Sequence, residues 1–378
     1  MPPPFAVRRF LPLPTLSYSA VDPQTGVPDE RDFGAHVDQT NYSVVVAERV
    51  VVKWLTPPVR LPHPTPEVFA HLVEVGFKHT APPYAALTRR DGPGEVLLAL
   101  VTGYLPDAVD GWEWCADEAA SGRTGFAPEL GRLAADLHLA LATLPPPHRP
   151  GDTARVPDGT DAARLPAGPD AGAARNPAGS GTDAAGIPLG SGAQVRAEAA
   201  LREALELTGD DDGAWLSANA ARLHRELAPL ATLRAARPIR IHGDLHVGQI
   251  LRWRDGYAVI DFDGNPTVTD AEPYQPAARD VAQLTTSLQH VAQVAIKRRG
   301  TPPEPAARWA AEARDRMLDA YRSRLAERGG AELLDEALIR PFEIEQECRE
   351  LIYAARHLPR WRYAPMGVLR GWYPEENR

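Results

Sequence analysis

One short segment, residues 239–263, constrains the fold more tightly than any other part of this chain. A β-branched stretch at 239–241 leads into a polar loop, and two apolar runs at 250–253 and 257–262 then flank an Asp-Gly pair at 255–256. Asp-Gly between two such runs is a strong hairpin signal. The segment therefore predicts a strand, an exposed loop and a hairpin in succession, with the end of the hairpin returning close to the loop.

Oxygen-bearing side chains are concentrated in the same segment. Asp244 follows the strand, Gln249 precedes the hairpin and Asp261 ends it, so the fold-back is expected to bring Asp261 close to Gln249. Carboxylate and amide oxygens are good ligands for Mg²⁺, and a loop carboxylate can serve as a general base. Phosphoryl transfer needs this combination, with Asp244 as the catalytic base and Gln249 and Asp261 as metal ligands. Asp263 is either a further metal ligand or a loop-capping residue, and the whole set could instead be a capped turn beside an exposed hairpin end.

The N-terminal part of the chain reads as a small α+β lobe built on an antiparallel sheet. Residues 43–55 hold two β-branched runs that predict a hairpin, residues 95–101 predict a further strand, and residues 66–75 have helix character. Helical periodicity dominates the remainder, where predicted helices cover residues 127–143, 196–208, 214–236, 277–298, 304–327 and 341–358. We therefore expect an N-terminal lobe over residues 1–102 and a larger C-terminal lobe over residues 103–378.

Residues 145–195 differ from their surroundings in composition. They are dominated by Pro, Gly, Ala, Asp and Ser, and no aromatic residue occurs between Phe126 and Trp215. Such a stretch buries too little apolar surface to offset the entropy lost on ordering. We expect a mobile insert here, within the C-terminal lobe.

Charge and composition argue against several classes of partner. The net charge is −9, and affinity for nucleic acid depends on clustered Lys and Arg, so no nucleic-acid partner is expected. No apolar run reaches the roughly 18–20 residues that span a bilayer, and the proline-interrupted N-terminus does not read as a signal peptide. The two cysteines, Cys115 and Cys348, have no CxxC spacing, so neither a disulfide framework nor a zinc site is expected. These features predict a cytoplasmic protein without a membrane partner.

The loop and the hairpin together resemble a known superfamily. The motif HGDLHVGQ at 242–249, followed by DFDG at 261–264, is similar to the catalytic and metal loops of the aminoglycoside phosphotransferase and choline kinase superfamily, which has a bilobal protein-kinase-like fold. Gln249 stands where that superfamily usually has Asn, and its carbonyl oxygen keeps the metal role on a longer arm. The variant motifs resemble the maltokinase-like group, and most closely actinobacterial glucosamine kinases. The resemblance extends from about residue 38 to residue 361, outside the insert.

The resemblance also implies a nucleotide site, with ATP and Mg²⁺ as cofactors. Lys53 matches the phosphate-binding lysine, and Glu67 matches the glutamate that pairs with it. A solvated strand lysine and a helix-dipole glutamate are the plain alternatives. Residues 39–43 stand at the position of the phosphate-covering loop but lack its glycines. The hinge that binds adenine through its backbone is matched by residues 101–105, which include Gly103, Tyr104 and Leu105.

The acceptor site is expected in the C-terminal lobe. The candidate substrate residues are His246, Asp280, Glu345, Glu347, Glu350, Tyr353 and Trp361. The apolar stripe of the last long predicted helix leaves Glu343, Glu347 and Glu350 on one flank, which is either a solvated face or an acidic wall for a cationic substrate. His246 points either at the substrate or into the loop, and Trp361 either stacks on a sugar or closes the core. In the superfamily, an Arg-Asp pair such as Arg279-Asp280 supports the catalytic loop.

These residues and the resemblance predict an α+β, bilobal protein-kinase-like fold that transfers phosphate from ATP to a small sugar or amino sugar. Glucosamine is the favoured acceptor, with glucosamine 6-phosphate as the product, because carboxylates stabilise a protonated amine. The alternatives are a maltokinase that makes maltose 1-phosphate and an aminoglycoside phosphotransferase. A nucleotide-binding pseudoenzyme is disfavoured because Lys53, Asp244 and Asp261 are all present.

Overall fold

The structure is a computed structural model that describes residues 4–15, 30–32, 41–146, 189–232, 237–265 and 272–374. Most of the predicted insert at 145–195, and part of the predicted phosphate-covering loop at 39–43, lie outside these residues. The strands are β1 (Phe5–Arg9), β2 (Glu30–Asp32), β3 (Tyr42–Val46), β4 (Val50–Arg60), β5 (Pro83–Asp91), β6 (Gly94–Gly103), β7 (Ile239–Arg240), β8 (Ile250–Trp253), β9 (Gly256–Val259) and β10 (Tyr274–Gln275). The α-helices are α1 (Pro64–Glu74), α2 (Gly111–Ala120), α3 (Ala127–Leu141), α4 (Leu189–Leu207), α5 (Asp210–Leu227), α6 (Ala278–Arg299), α7 (Pro303–Glu327), α8 (Ile339–Arg356) and α9 (Tyr363–Trp372).

Six strands form one antiparallel sheet in the N-terminal part of the chain, in the order β1-β5-β6-β4-β3-β2. The predicted hairpin is β3 and β4, whose register sets Ser43 opposite Lys53. Lys53 also lies opposite Leu100 of β6, so it is in the interior of the sheet and not at an edge. The sequence did not predict β1, β2 or β5, and β5 begins with a proline and contains alanines, which are poor strand formers.

Helix α6 lies at the centre of the helical part of the chain. It packs against α2, α7, α8 and α9, and buried residues lie on all of its sides. Several of these buried residues are polar, among them Asp280, Gln283, Ser287 and His290. Buried polar groups almost always have hydrogen-bond partners. Helix α6 is therefore expected to hold neighbouring segments through its side chains.

Two small antiparallel pairs frame the polar loop that precedes the predicted hairpin. Strand β7 pairs with β10, and β8 pairs with β9 around a turn where Gly256 adopts a φ of 123°. Strand β9 ends at Val259, earlier than predicted, and Asp261 then takes a left-handed φ of 64° that turns the chain out of the strand. The fold-back sets Ile260 beside Gln249, whose carbonyl accepts the Ile260 N–H at 2.9 Å.

The predicted fold class is confirmed, since a small antiparallel sheet precedes a predominantly helical part. One hydrophobic core runs through both parts, and it includes Leu100 of β6, Leu137 of α3 and Leu288 of α6. Helix α4 begins at Leu189, so the C-terminal end of the predicted insert is helical. Within the described ranges, no helix is both long enough and apolar enough to cross a membrane.

Candidate active site

Helix α6 holds the polar loop through buried hydrogen bonds. Asp280, in its first turn, accepts the backbone N–H of His242 at 2.7 Å and that of Gly243 at 2.9 Å. Two turns later, Ser287 accepts the backbone N–H of Val247 at 3.1 Å. Burial raises the pKa of Asp280, but the hydrogen bonds that its carboxylate accepts outweigh burial and lower the pKa below its ordinary value. Helix α6 thus fixes the loop near both of its ends.

Asp244 lies between these two anchor points, and its carboxylate oxygens have different surroundings. Oδ1 accepts hydrogen bonds from the side-chain amides of Gln283 at 2.7 Å and Asn265 at 3.1 Å. Oδ2 has longer contacts, with Gln249 Nε2 at 3.4 Å and His246 Nε2 at 3.6 Å. Burial raises the pKa of Asp244, but His246 and Gln283 outweigh burial and hold it below its ordinary value. The carboxylate is therefore ionised at neutral pH, and Oδ2 is the oxygen with the longer and weaker hydrogen-bond contacts.

The two histidines of the loop have defined hydrogen-bonding roles. His242 donates from Nε2 to the Ile260 carbonyl at 3.0 Å and accepts the Asp244 N–H at Nδ1, which ties the loop to the hairpin. His246 accepts the Gly248 N–H at Nδ1, so its Nε2 carries the proton that faces Asp244. Burial lowers the pKa of His246, but the carboxylate of Asp244 outweighs burial and raises it. His246 therefore points into the loop and toward the base at once.

Lys53 joins the sheet to the end of the hairpin. Its Nζ lies 2.7 Å from an oxygen of Asp261 and 2.7 Å from an oxygen of Asp263. Thr65, at the start of α1, donates its hydroxyl to the other oxygen of Asp263. Burial lowers the pKa of Lys53, but the two carboxylates outweigh burial and raise it. The structure thus brings together the three charged residues that the sequence predicts for phosphate and metal binding.

The oxygen atoms gathered here suit a hard cation. The Lys53 ammonium shows that Asp261 and Asp263 can share one small positive charge. The Gln249 amide group faces Asp244 through its nitrogen, so its carbonyl oxygen points away from that carboxylate. Among the described residues, no group of three or more His, Cys, Asp or Glu side chains is arranged for a metal, but Mg²⁺ commonly needs only one or two carboxylates beside waters and substrate phosphates. The paired carboxylates of Asp261 and Asp263 are therefore of the chemical type that holds Mg²⁺ together with a nucleotide, and the Gln249 amide oxygen is a candidate further ligand.

Glu67 is not brought to Lys53, although the sequence predicts that the two form a pair. Its side chain is 64% exposed and forms an ion pair with Arg8 at 2.5 Å. Arg8 lies on β1, a strand that the sequence did not predict, so this competing partner could not be foreseen. The contact from α1 to the charged cluster is made by Thr65 instead.

The predicted hinge follows directly from β6. The backbone N–H of Gly103 donates to the Pro82 carbonyl at 2.8 Å, and that of Tyr104 donates to the Arg49 carbonyl at 2.9 Å. A side chain at Gly103 would meet the Pro82 ring at 2.9 Å, which accounts for glycine at this position. These two N–H groups fix the hinge itself, so an adenine contact would use the backbone carbonyls or the N–H of Leu105.

An aromatic and acidic cluster adjoins the His246 side of the base. Trp112 packs against His246 with ring centroids 5.6 Å apart, and Trp361 packs against Trp112 at 5.7 Å. Glu350 accepts from Trp361 Nε1 at 2.7 Å and from the Gln346 amide at 3.0 Å. Glu350 is half-buried, and its charge acts on His246. The cluster therefore links one predicted substrate carboxylate to the catalytic loop.

The other glutamates of α8 do not form an acidic wall. Each is buried and has a basic partner: Glu343 contacts Arg314, Glu345 contacts Arg279 and Arg349, and Glu347 contacts His290. The predicted solvated or substrate-facing flank is absent from this described helix because neighbouring helices enclose α8, and the basic partners come from α6, α7 and α8 itself. Tyr353 is 37% exposed and packs on His357. None of the hydrogen bonds or ring contacts of Glu345, Glu347 and Tyr353 within the described residues reaches the loop.

Several residues at this site were not assigned from the sequence. Those that contact the loop or the charged cluster are Thr65, Trp112, Asn265, Gln283 and Ser287. Asp280, Gln283 and Ser287 are spaced by three and four residues, so they share one face of α6. Their spacing on one helix face, in line with the Asp280 that the sequence already assigned, could have identified Gln283.

The fold, with a lysine-bearing sheet set against a carboxylate-bearing loop, is that of a kinase-like phosphotransferase. The chain is similar to a glucosamine kinase from Streptacidiphilus jiangxiensis, with 39% identity over 379 residues, 95% of this chain and 76% of that protein. It is also similar to a glucosamine kinase from Mycolicibacterium smegmatis, with 36% identity over 351 residues, 88% of this chain and 77% of that protein.

Comparison with solved structures also relates this chain to the glucosamine kinases. It matches a solved glucosamine kinase in complex with glucosamine, ADP and inorganic phosphate, with a TM-score of 0.74, 34% identity, and coverage of 98% of this chain and 82% of that chain. No family model matches the chain. The chain belongs to the glucosamine kinase family, and the predicted kinase-like fold and kinase family are confirmed.

Proposed function

We propose that this protein is an ATP-dependent sugar kinase that phosphorylates glucosamine, with glucosamine 6-phosphate as the product. The observation that carries the proposal is the series of contacts that leads from Asp244 through His246, Trp112 and Trp361 to the Glu350 carboxylate. The relatives support it, because two are named glucosamine kinases and the solved one contains glucosamine and ADP. Within the superfamily, we assign the chain to the maltokinase-like group on its loop motifs.

Residues 1–102 and 103–378 form the two lobes in this proposal, with ATP between them. Lys53 neutralises phosphate charge from the sheet side, and the hinge at 103–105 lies against adenine. Glu67 could take part in nucleotide binding only if its ion pair with Arg8 were replaced by a contact with a ligand or with Lys53. The interior position of Lys53 in the sheet supports its role, because a rigid backbone fixes the reach of the ammonium group.

Gln249, Asp261 and Asp263 would hold Mg²⁺. The ion supplies charge neutralisation for the phosphates of the bound nucleotide. Lys53 now bridges both aspartates, so nucleotide and metal binding require the ammonium group to move from the carboxylates toward the phosphates. Thr65 keeps Asp263 in place during that exchange, because its hydroxyl occupies the carboxylate oxygen that Lys53 does not use.

Asp244 acts as the base in the proposed reaction. The proton of the acceptor hydroxyl passes to Asp244, the hydroxyl oxygen attacks the γ-phosphorus of ATP, and the bond to the bridging oxygen breaks to release ADP. The lowered pKa of Asp244 makes it a weak base, which suits a reaction in which little proton transfer is needed before the phosphoryl group moves. Catalysis then rests on positioning and charge, and the buried bonds from α6 supply the positioning.

The acceptor is selected by charge. A protonated amine that reaches Glu350 would form a charge-assisted hydrogen bond, which contributes about 1.5–3 kcal/mol, or about one to two powers of ten in specificity. Trp361 and Trp112 lie next to this carboxylate and provide apolar surface for the face of a sugar ring. A neutral hydroxyl at the same place gains less, and an acetylated amine lacks the charge and is bulkier.

A comparison of acceptors under one set of conditions tests the proposal. We expect kcat/KM to decrease in the order glucosamine, glucose, N-acetylglucosamine, with maltose a poor substrate. A higher value for maltose would make the protein a maltokinase, and a higher value for a multi-ring aminoglycoside would make it a resistance enzyme. Replacement of Glu350 by Gln sharpens the test, because the preference for glucosamine over glucose should fall while glucose turnover is retained.

A further inference from the structure

The hydrogen bonds to Asp244 are distributed unevenly between its two oxygens. Oδ1 accepts from Gln283 at 2.7 Å and from Asn265 at 3.1 Å. At Oδ2 the nearest donors among the described residues, on Gln249 and His246, lie at 3.4 Å and 3.6 Å. The two donors occupy the lone-pair directions of Oδ1. An incoming hydroxyl can therefore approach Oδ2 more easily than Oδ1.

Gln283 is well placed to maintain this asymmetry. It is 6% exposed and lies one turn after Asp280, whose carboxylate holds the backbone of His242 and Gly243. The same face of α6 therefore holds the backbone that precedes the base and the base itself. Because α6 is buried on all sides, the Gln283 amide has little freedom to follow a rotating carboxylate.

Ser287 contacts the same loop from the same face but does not reach the base. It accepts the backbone N–H of Val247, beyond Asp244 in the chain. Asp280 and Ser287 fix where the loop backbone lies, but neither determines the rotation of the Asp244 side chain. Gln283 is the α6 residue that determines it.

We propose that Gln283 is a positioning residue for phosphoryl transfer: by holding Oδ1 of Asp244, it presents Oδ2 as the oxygen that receives the acceptor proton. The proposal rests on the proposed function only in taking Asp244 as the base. In the step, the acceptor O–H bond breaks and the Oδ2–H bond forms. The acceptor oxygen bonds to the γ-phosphorus, and the electron pair of the broken bridging P–O bond leaves on ADP.

The experiment compares Gln283→Met with Ser287→Ala. Gln283→Met keeps the length of the side chain and removes its donor, so Asp244 can rotate away from the acceptor. We expect kcat to fall about 10- to 100-fold, since a hydrogen bond to a charged group is lost, while KM for the sugar and for ATP stays near the wild-type value. Ser287→Ala removes a bond to the backbone of the same loop without touching the base, so it should lower the melting temperature and reduce kcat much less than Gln283→Met does.

A second variant protects the test against a folding defect. Gln283→Asn keeps the amide but shortens its reach, so it should also lose kcat with KM retained. Both variants are checked by melting temperature and circular dichroism, and each is assayed with whichever sugar the wild-type enzyme turns over, so a wrong substrate does not affect the result.

Three results would overturn the assignment. The first is a folded Gln283→Met enzyme with kcat within about twofold of wild type, because an apolar isostere should be tolerated if the amide is only structural. The second is a loss that appears in KM alone. The third is an equal loss of kcat in Ser287→Ala, which would make the whole polar face of α6 a general support for the loop.

Discussion

The two sides of the candidate site are built differently. On the nucleotide side, Lys53, Asp261 and Asp263 have side-chain exposures of 24%, 38% and 22%, and Lys53 forms ion pairs with both carboxylates. On the acceptor side, Asp280 and its partner His138 are both completely buried. The first set can exchange partners when charged ligands arrive, whereas the second is fixed by hydrogen bonds that water does not reach. We therefore expect the proposed base to be positioned before substrates bind, and the proposed phosphate site to be completed by them.

A buried chain of hydrogen bonds extends the acceptor side into the helical core. His138 of α3 lies 3.2 Å from an oxygen of Asp280, and its other ring nitrogen lies 2.7 Å from the Tyr321 hydroxyl of α7. A carboxylate only accepts, so the ring nitrogen of His138 that faces Asp280 is the donor, and the Tyr321 hydroxyl hydrogen-bonds to the other ring nitrogen. Three helices thus hold one loop, which is the physical basis for its rigidity.

The largest expected effect is at the base itself. Asp244→Asn should lower kcat by about 100- to 10,000-fold, the usual contribution of a general base, because the amide cannot take the acceptor proton. Nucleotide affinity should change little, since Asp244 belongs to the acceptor side. Steady-state turnover and calorimetric titration of ADP check the two halves of this prediction, and near-normal turnover would remove Asp244 from its role.

Substitutions on the nucleotide side should instead weaken the binding of the nucleotide. Asp261→Ala should weaken Mg²⁺-dependent nucleotide binding by about tenfold or more, because it removes a charged ligand. Gln249→Ala should weaken binding less, since the ligand lost is neutral. Titration of nucleotide at several Mg²⁺ concentrations measures both variants. A greater loss for Gln249→Ala would reverse the proposed order of the ligands.

Two neighbouring buried carboxyl groups of α8 should give the protein opposite pH responses. Burial raises the pKa of Glu347 to about 7 from 4.5, so the folded state keeps a proton that the unfolded state loses, and stability falls as the pH rises from about 4.5 through about 7. For Glu345, burial is outweighed by Arg279 and Arg349, which lower the pKa to about 2, so its stabilisation is present above about 4.5 and is lost as the pH falls toward about 2.

Paired variants separate these contributions. Glu347→Gln should flatten the dependence of the unfolding free energy on pH between about 5 and 7, by an amount on the order of 1–3 kcal/mol. Glu345→Gln should lower stability at neutral pH and flatten the acid side instead. Urea unfolding across a pH series distinguishes them, and the same slope in both variants would contradict the assigned pKa directions.

The smallest expected effect tests how far the rigid side extends. Tyr321→Phe removes only the hydroxyl that hydrogen-bonds to His138, and a buried hydrogen bond contributes about 1 kcal/mol. We expect a lower melting temperature and a fall in kcat of a few-fold, with nucleotide affinity retained. Trp309→Phe is the matched control on the same helix, because its indole bonds to the Arg123 carbonyl, remote from the loop. Equal changes in kcat for the two variants would show that the hydrogen-bond network that supports the loop does not extend to Tyr321.

The sequence predicted the parts of this site that depend on local pattern. The hairpin of β8 and β9 and the hairpin of β3 and β4 follow from turn chemistry and β-branched runs. The grouping of Lys53 with Asp261 and Asp263 was implied by the resemblance to the kinase superfamily. The sequence also gave the buried stripe of α8, since Ile344 and Cys348 are completely buried.

What the sequence did not predict depends on contacts between distant segments. Gln283 and Asn265 contact Asp244 from separate parts of the chain. Arg8, which pairs with Glu67, lies on a strand that is too short and polar to be recognised in the sequence. The glutamates of α8 were predicted to form a solvated or substrate-facing flank because helical periodicity describes one helix at a time. Whether water or another helix covers that side is decided by packing, and here His290 and several arginines cover it.

The central claim, transfer of phosphate from ATP to an amino sugar, is tested most directly by product analysis. Wild-type protein is incubated with ATP, Mg²⁺ and glucosamine, and ADP, inorganic phosphate and sugar phosphate are quantified by phosphorus NMR. The account predicts ADP and a glucosamine phosphomonoester on the 6-hydroxyl in equal amounts, with no ADP formed when the sugar is left out. ADP that appears with inorganic phosphate alone, or at the same rate without the sugar, would contradict it.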